Sequence, residues 1–174
     1  MIWRKKGTEH TGDCSRNSKV LRQRRAEVPN QGEMAAMADL SKDRGLVGNR
    51  KLEEQIGMLQ KEPSQEMLAV VLTTVRRRMK EHGQMIVPVE ADASGFLRVQ
   101  IMQIEDGEKW LAVYTGFEEQ MMGGQSIQST FLSDIGQLLN MALQEDSVEG
   151  LLINPWNRSL RLSKNLIRII LGEG

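Results

Sequence analysis

Few side chains in this sequence are of the types that do covalent or acid–base chemistry. The single thiol, Cys14, follows His10 by four residues. A nucleophile needs a base held within hydrogen-bond reach, and the surrounding polar stretch offers nothing that would fix the pair. The same two residues supply only two of the four ligands a structural zinc site takes. His82 precedes Gly83 at the expected end of a helix, where an imidazolium caps free carbonyls. Adjacent carboxylates occur at Glu105/Asp106 and Glu118/Glu119. Paired acid–base work requires pKa values shifted in a sheltered site, and neighbours on a turn or short helix are expected as solvated surface. Gly123-Gly124 is followed by no Lys-Ser/Thr and fits no GxGxxG frame, so no phosphate cradle is expected. The residues point to no catalytic centre, no cofactor and no metal.

Recognition chemistry is better represented. In Asn154-Pro155-Trp156 the proline is expected to keep Asn154 out of the helical region, and the asparagine side chain can fix a turn by bonding nearby backbone amides. Trp156 either folds over the edge of the core or is presented to a partner, tryptophan being enriched at binding hot spots. Arg158, Arg161 and Lys164 follow it and either complement an acidic partner or form an ordinary solvated rim.

Composition limits what must position these residues. A chain of 174 residues with 40% hydrophobic and 26% charged residues suits one soluble domain. Aromatics make up 4%, so Leu, Ile, Val and the 11 Met must build the core or, for methionine, an adaptable surface. One cysteine permits no internal disulfide, which suggests a cytoplasmic setting. The longest apolar run, Met67 to Leu72, has six residues, against about 20 for a membrane helix. Arg4, Lys5 and Lys6 resemble the start of a signal peptide, but no apolar segment follows.

The net charge of zero is unevenly spread: residues 1–30 hold eight Lys/Arg against three Asp/Glu, leaving the body mildly acidic and poorly suited to nucleic acid. Residues 1–45 lack any sustained hydrophobic period and read as a disordered basic tail. Its run from Arg16 to Arg25 could bind RNA or an anionic membrane, and translation could also start at Met34 or Met37.

Elements are expected from residue 49 onward. Leu52, Ile56 and Leu59 form a helical seam over residues 49–60, with Asn49 as N-cap. Leu68, Val71, Leu72, Val75 and Met79 form a stronger one over residues 65–81, with Ser64 as its cap and Arg76, Arg77, Arg78 and Lys80 as a solvated, dipole-complementing end. QMIVPVE (84–90) reads as a strand in which Pro88 implies an edge or a bulge. Residues 96–104 and 109–115 flank Asp106-Gly107, a hairpin signal. A short helix follows at 116–123, then a strand at 127–132, a helix at 134–143 capped by Ser133, strands at 148–153 and 159–162, and a last helix capped by Ser163. The pattern predicts an α+β domain over residues 49–172, with a mostly antiparallel or mixed sheet of about five to six strands packed on two N-terminal and later helices.

The order QMIVPVE, the hairpin with DGEKWLAVYT (106–115), the helix at 134–143, GLLINPW (150–156) and a closing helix after a capping serine resembles the SseB family. There a "yvP" strand, a "dG…l.vFTs" strand, a helix and a "g..iNP" strand succeed one another. Tyr114-Thr115-Gly116 stands where Phe-Thr-Ser is typical, and the C-terminal domain of longer members has no counterpart here. The resemblance implies a fold and carries over no catalytic residue. The reading is therefore a non-catalytic cytoplasmic interaction domain that binds a protein partner or itself through a sheet edge or the Trp156 turn, with Tyr114, Asn154, Trp156, Arg158 and Arg161 as candidate contacts. The alternative is an amino-acid-related sensor or enzyme with a pocket between helices and sheet. A weak nucleic-acid role through the basic tail ranks last.

Overall fold

The computed structural model describes residues 44–91, 95–124 and 129–173. Residues 1–43 of the expected tail, with His10, Cys14, Met34 and Met37, lie outside them; its last two, Arg44 and Gly45, are helical. A short helix α1 (Arg44–Val47) leads into α2 (Asn49–Lys61) and α3 (Gln65–Lys80). The seams behave as their spacing requires: α2 buries Leu52 and Ile56, and α3 buries Val71 and Val75. Ser64 caps α3 as expected, its hydroxyl accepting from the Met67 amide at 3.1 Å. Asn49 does not cap α2. It is buried, and its side-chain amide donates to the carbonyls of Gln84 and Thr115 at 2.7 and 2.9 Å, because those sheet carbonyls lie where the helix begins.

Four basic residues end α3, and two of them depart from the expected solvated end. Arg78 is buried, donating to Gly45 O (2.8 Å) and Asn49 Oδ1 (3.2 Å) and pairing with Glu81 (3.0 Å). Its guanidinium lies so close to Gly48 that a Cβ there would stand 2.4 Å from Cζ, so only glycine leaves it room. Arg76 donates to the Ile169 and Ile170 carbonyls, satisfying groups that a helix C-terminus otherwise leaves open.

The strands are β1 (Gln84–Ala91), β2 (Leu97–Val99), β3 (Ile101–Gln103), β4 (Lys109–Val113), β5 (Ser129–Asp134), β6 (Gly150–Ile153) and β7 (Leu160–Ser163). Helix α4 (Phe117–Met121) precedes β5, α5 (Ile135–Gln144) follows it, and α6 (Lys164–Leu171) comes after β7. The class is α+β. The single sheet expected is two: β2-β1-β5, all antiparallel, and β3-β4-β6-β7, in which β4 and β6 run parallel. They meet where Ile86 and Tyr114 exchange backbone hydrogen bonds of 2.8 and 2.9 Å.

Pro88 gives the reason for the split. It lies in the central strand β1, not at an edge. The β1–β2 register places it opposite Gln100, whose amide donates to the Pro88 carbonyl at 3.0 Å. An ordinary residue would return a hydrogen bond across this pair, but proline has no N–H. The Gln100 carbonyl instead accepts from Ala112 of β4 at 3.2 Å. One bent segment, 97–103, thus leaves β1 for β4 at the proline. The Asp106-Gly107 hairpin forms as expected, with Gly107 at φ 86° and Asp106 accepting from the Glu108 amide.

The main core lies between α2, α3, α5 and α6 on one side and Met85, Val87, Leu111, Val113, Leu151 and Ile153 on the other. A small second cluster, Leu46, Ile86 and Tyr114 with Phe117 and Leu132, covers the opposite face. Ser163 caps α6 as expected. Asp134, not Ser133, caps α5, accepting from Gly136 N at 2.7 Å, because β5 runs through Asp134, opposite Gln84, and the helix begins only at Ile135.

Candidate functional site

The site is assembled where β6 ends. Asn154 has φ 49°, a left-handed value that asparagine tolerates better than most residues and that keeps it out of the right-handed helical region, as expected before proline. Its amide donates to Val113 O at 2.9 Å. Its buried side chain accepts from the Thr115 amide (2.9 Å) and donates to the Thr115 hydroxyl (2.9 Å). The expected local turn bond is thus a stitch between the ends of β6 and β4, 39 residues apart in sequence.

The Thr115 hydroxyl donates to Glu53 Oε1 of α2 at 2.6 Å. Glu53 Oε2 accepts from Arg158 Nη1 at 3.1 Å, and the same nitrogen lies 3.5 Å from Glu119 Oε1 of α4. Asn157 donates to that oxygen at 3.1 Å. Two carboxylates from different helices therefore share one guanidinium. The side chains of Glu53 and Glu119 are 16% and 5% exposed, whereas Arg158 is 41% exposed. Glu119 Oε2 is buried and has no hydrogen-bond partner among the described residues. Burial pushes the Glu119 carboxyl above the ordinary range, with Glu53 adding to the rise, while Arg158 and Asn157 oppose it and Glu118 adds a little. Glu118 is exposed and Glu119 is buried, so the adjacent carboxylates are not the solvated pair expected.

Trp156 stands at the rim, 43% exposed. Its indole N–H donates to the Tyr114 hydroxyl at 3.1 Å. The ring lies against Gly123, where a Cβ would come within 2.3 Å of Nε1, so one side of it is packed and the remainder is open to solvent. Tyr114 is buried, and burial raises its phenol pKa against the lowering effect of the Trp156 bond. Met122, 62% exposed, precedes Gly123.

Of the candidate contacts, Tyr114, Asn154, Trp156 and Arg158 come together. Arg161 does not: it projects from β7 toward Asp106 of the hairpin, 3.5 Å away. His82 is exposed at φ 56° with Nδ1 3.6 Å from Asp134. Glu53, Thr115 and Asn157 were not among the candidates. Glu53 carries a usable signal, since it borders the Leu52/Ile56 seam and cannot avoid the domain edge. Among the described residues no group of three or more His, Cys, Asp or Glu is placed to hold a metal ion, and no helix is long and apolar enough to cross a membrane.

Fold and site define an α+β domain in which a polar cluster ties two helices to the junction of β4 and β6. No family model, no curated protein and no solved structure matches the chain.

Proposed function

We propose that this chain is a non-catalytic, SseB-like interaction domain that binds a protein partner or a second copy of itself through the Trp156 turn. One observation carries the reading: a tryptophan half open to solvent is anchored by its bond to Tyr114 and by Gly123 beneath it, on a turn that Asn154 stitches to β4 two residues earlier. A preorganised aromatic loses little freedom on binding, and such residues dominate interface energetics. Exposed Met122 and the Arg158 guanidinium add apolar and charged contacts at the same place. The SseB likeness is supported by its motifs falling on β1, the β3–β4 hairpin, α5, β6 and α6 in the family's order. The test compares the full chain with Trp156→Ala in sedimentation and affinity capture. Association lost in the variant, with folding retained, supports the proposal. A chain that remains monomeric at high concentration and captures no Trp156-dependent partner refutes it.

A second reading, a metabolite sensor or enzyme, is favoured by the convergence of Glu53, Glu119 and Arg158 from three segments. A thermal-shift screen against amino acids and related metabolites separates the two. One ligand that raises the melting temperature in the full chain but not in Arg158→Ala selects the sensor.

A further inference from the structure

Helix α4 is fastened to the 154–158 turn at two points. In its middle, Glu119 reaches Asn157 and Arg158. Just beyond its end, bare Gly123 lies beneath the Trp156 indole. The first fastening is electrostatically incomplete. Arg158 Nη1 serves Glu53 and Glu119 together, and the Glu53 carboxylate is the better supplied, since Thr115 donates to its other oxygen at 2.6 Å. The second oxygen of Glu119 is buried with no donor among the described residues. A carboxylate in that position keeps negative charge on an oxygen shut off from bulk solvent, whereas the protonated acid does not, and desolvation penalises the charged form far more.

We propose that Glu119 holds a proton when α4 is closed on the turn, and that its ionisation releases α4 and uncovers the face of Trp156 that Gly123 covers. The charged and titratable groups facing Glu119 are Glu53 from α2, Arg158 from the turn and Glu118 on α4 itself; the polar group bonded to it is Asn157. Glu53 and Glu118 favour the proton and Arg158 opposes it, with burial the largest influence. The closed form therefore binds the proton more tightly than an open form whose carboxyl titrates near the ordinary 4.5. Closure is favoured fully below that value, and the advantage is lost as pH rises through the higher value of the closed state. The device does not depend on which partner, if any, docks at Trp156.

The test is fluorine NMR of the full chain labelled with 5-fluorotryptophan, which gives resonances for Trp3, Trp110 and Trp156; the Trp156 line is assigned by its loss in Trp156→Phe. Between about pH 4 and about pH 8 the wild-type Trp156 line should move with a midpoint above the ordinary carboxylate value. In Glu119→Gln, which mimics the protonated acid, it should stay at the wild-type acid position throughout. In Glu53→Gln the midpoint should fall, because Arg158 then serves one carboxylate, and this variant decides the matter should Glu119→Gln not fold. A wild-type line that does not move, a Glu119→Gln line that titrates like wild type, or a Glu53→Gln midpoint that does not fall would each overturn the proposal.

Discussion

Two arginines fasten α2 and its surroundings to the ends of the strands, and they do so in opposite ways. Arg78 is the buried member, 8% exposed at the side chain, and its charge partner Glu81 is half open to solvent. Its donors meet Gly45, Asn49 and Glu81. Around Arg158 the arrangement is inverted: the cation is 41% exposed, while Glu119 is buried and Glu53 is only 16% exposed. A buried guanidinium can be satisfied by neutral carbonyls, because it only donates. A buried carboxylate needs donors at both oxygens, and among the described residues Glu119 has them at one. The first arrangement is a fixed staple. The second is a balance that one proton can tip.

Arg78→Ala should give the largest effect. It removes the Arg78 hydrogen bonds to the Asn49 oxygen and the Gly45 carbonyl and empties the slot beside Gly48, at a cost of about 3–5 kcal/mol in denaturant unfolding, nearly independent of pH between mild acid and neutrality. A loss that varied strongly with pH would erase the contrast between the two arginines. Asn154→Ala comes next. It leaves the buried Thr115 amide unpaired and places alanine at a left-handed φ, costing about 2–4 kcal/mol by chemical denaturation.

Glu119→Gln is expected to act in the reverse direction. At neutral pH it should stabilise the chain by about 1–3 kcal/mol, because a buried carboxylate that shares its guanidinium with Glu53 is removed. The gain should shrink toward zero in acid, where wild-type Glu119 is itself protonated. The sign follows from a folded-state pKa raised by burial, which makes wild-type stability fall as pH rises through it. Thermal unfolding of both chains across pH measures this, and an equal gain at all pH values would assign the effect to packing alone.

The smallest effect is expected at Ser147, whose hydroxyl and amide hold the exposed Glu145 carboxyl below its ordinary value. Glu145 contributes stability above that ordinary value and loses it as pH falls through the lowered one. Ser147→Ala should move the Glu145 titration upward in carbon-detected NMR with no measurable change in melting temperature. An exposed pair of this kind marks the lower limit against which the two arginine centres are judged.

Much of the architecture was legible because it is local. Leu52/Ile56 and Val71/Val75 lie at helical spacing, Ser64 and Ser163 stand where caps are needed, and Asp106-Gly107 turns a hairpin within a few residues. At the site, the GLLINPW stretch pointed to the right turn, and Asn154, Trp156, Arg158 and Tyr114 do gather there. Glu119 was misread because adjacency to Glu118 says nothing about which of the two faces inward on a five-residue helix. Arg78 was misread because helix-terminal cations are ordinarily solvated, and nothing in the local sequence shows that Asn49 and Gly45 will arrive beside it.

The sequence by itself determined the element types, most of their order, the hairpin and the apolar faces, since each follows from periodic burial and from caps that act over three or four residues. Tertiary structure alone decided that the sheet divides at Pro88, that Arg161 parts company with Arg158, and that Glu53 and Glu119 meet at one guanidinium. The physical reason is distance along the chain: Arg158 and Glu53 are 105 residues apart. Whether a polar side chain is solvated or buried depends on which remote group the fold delivers to it.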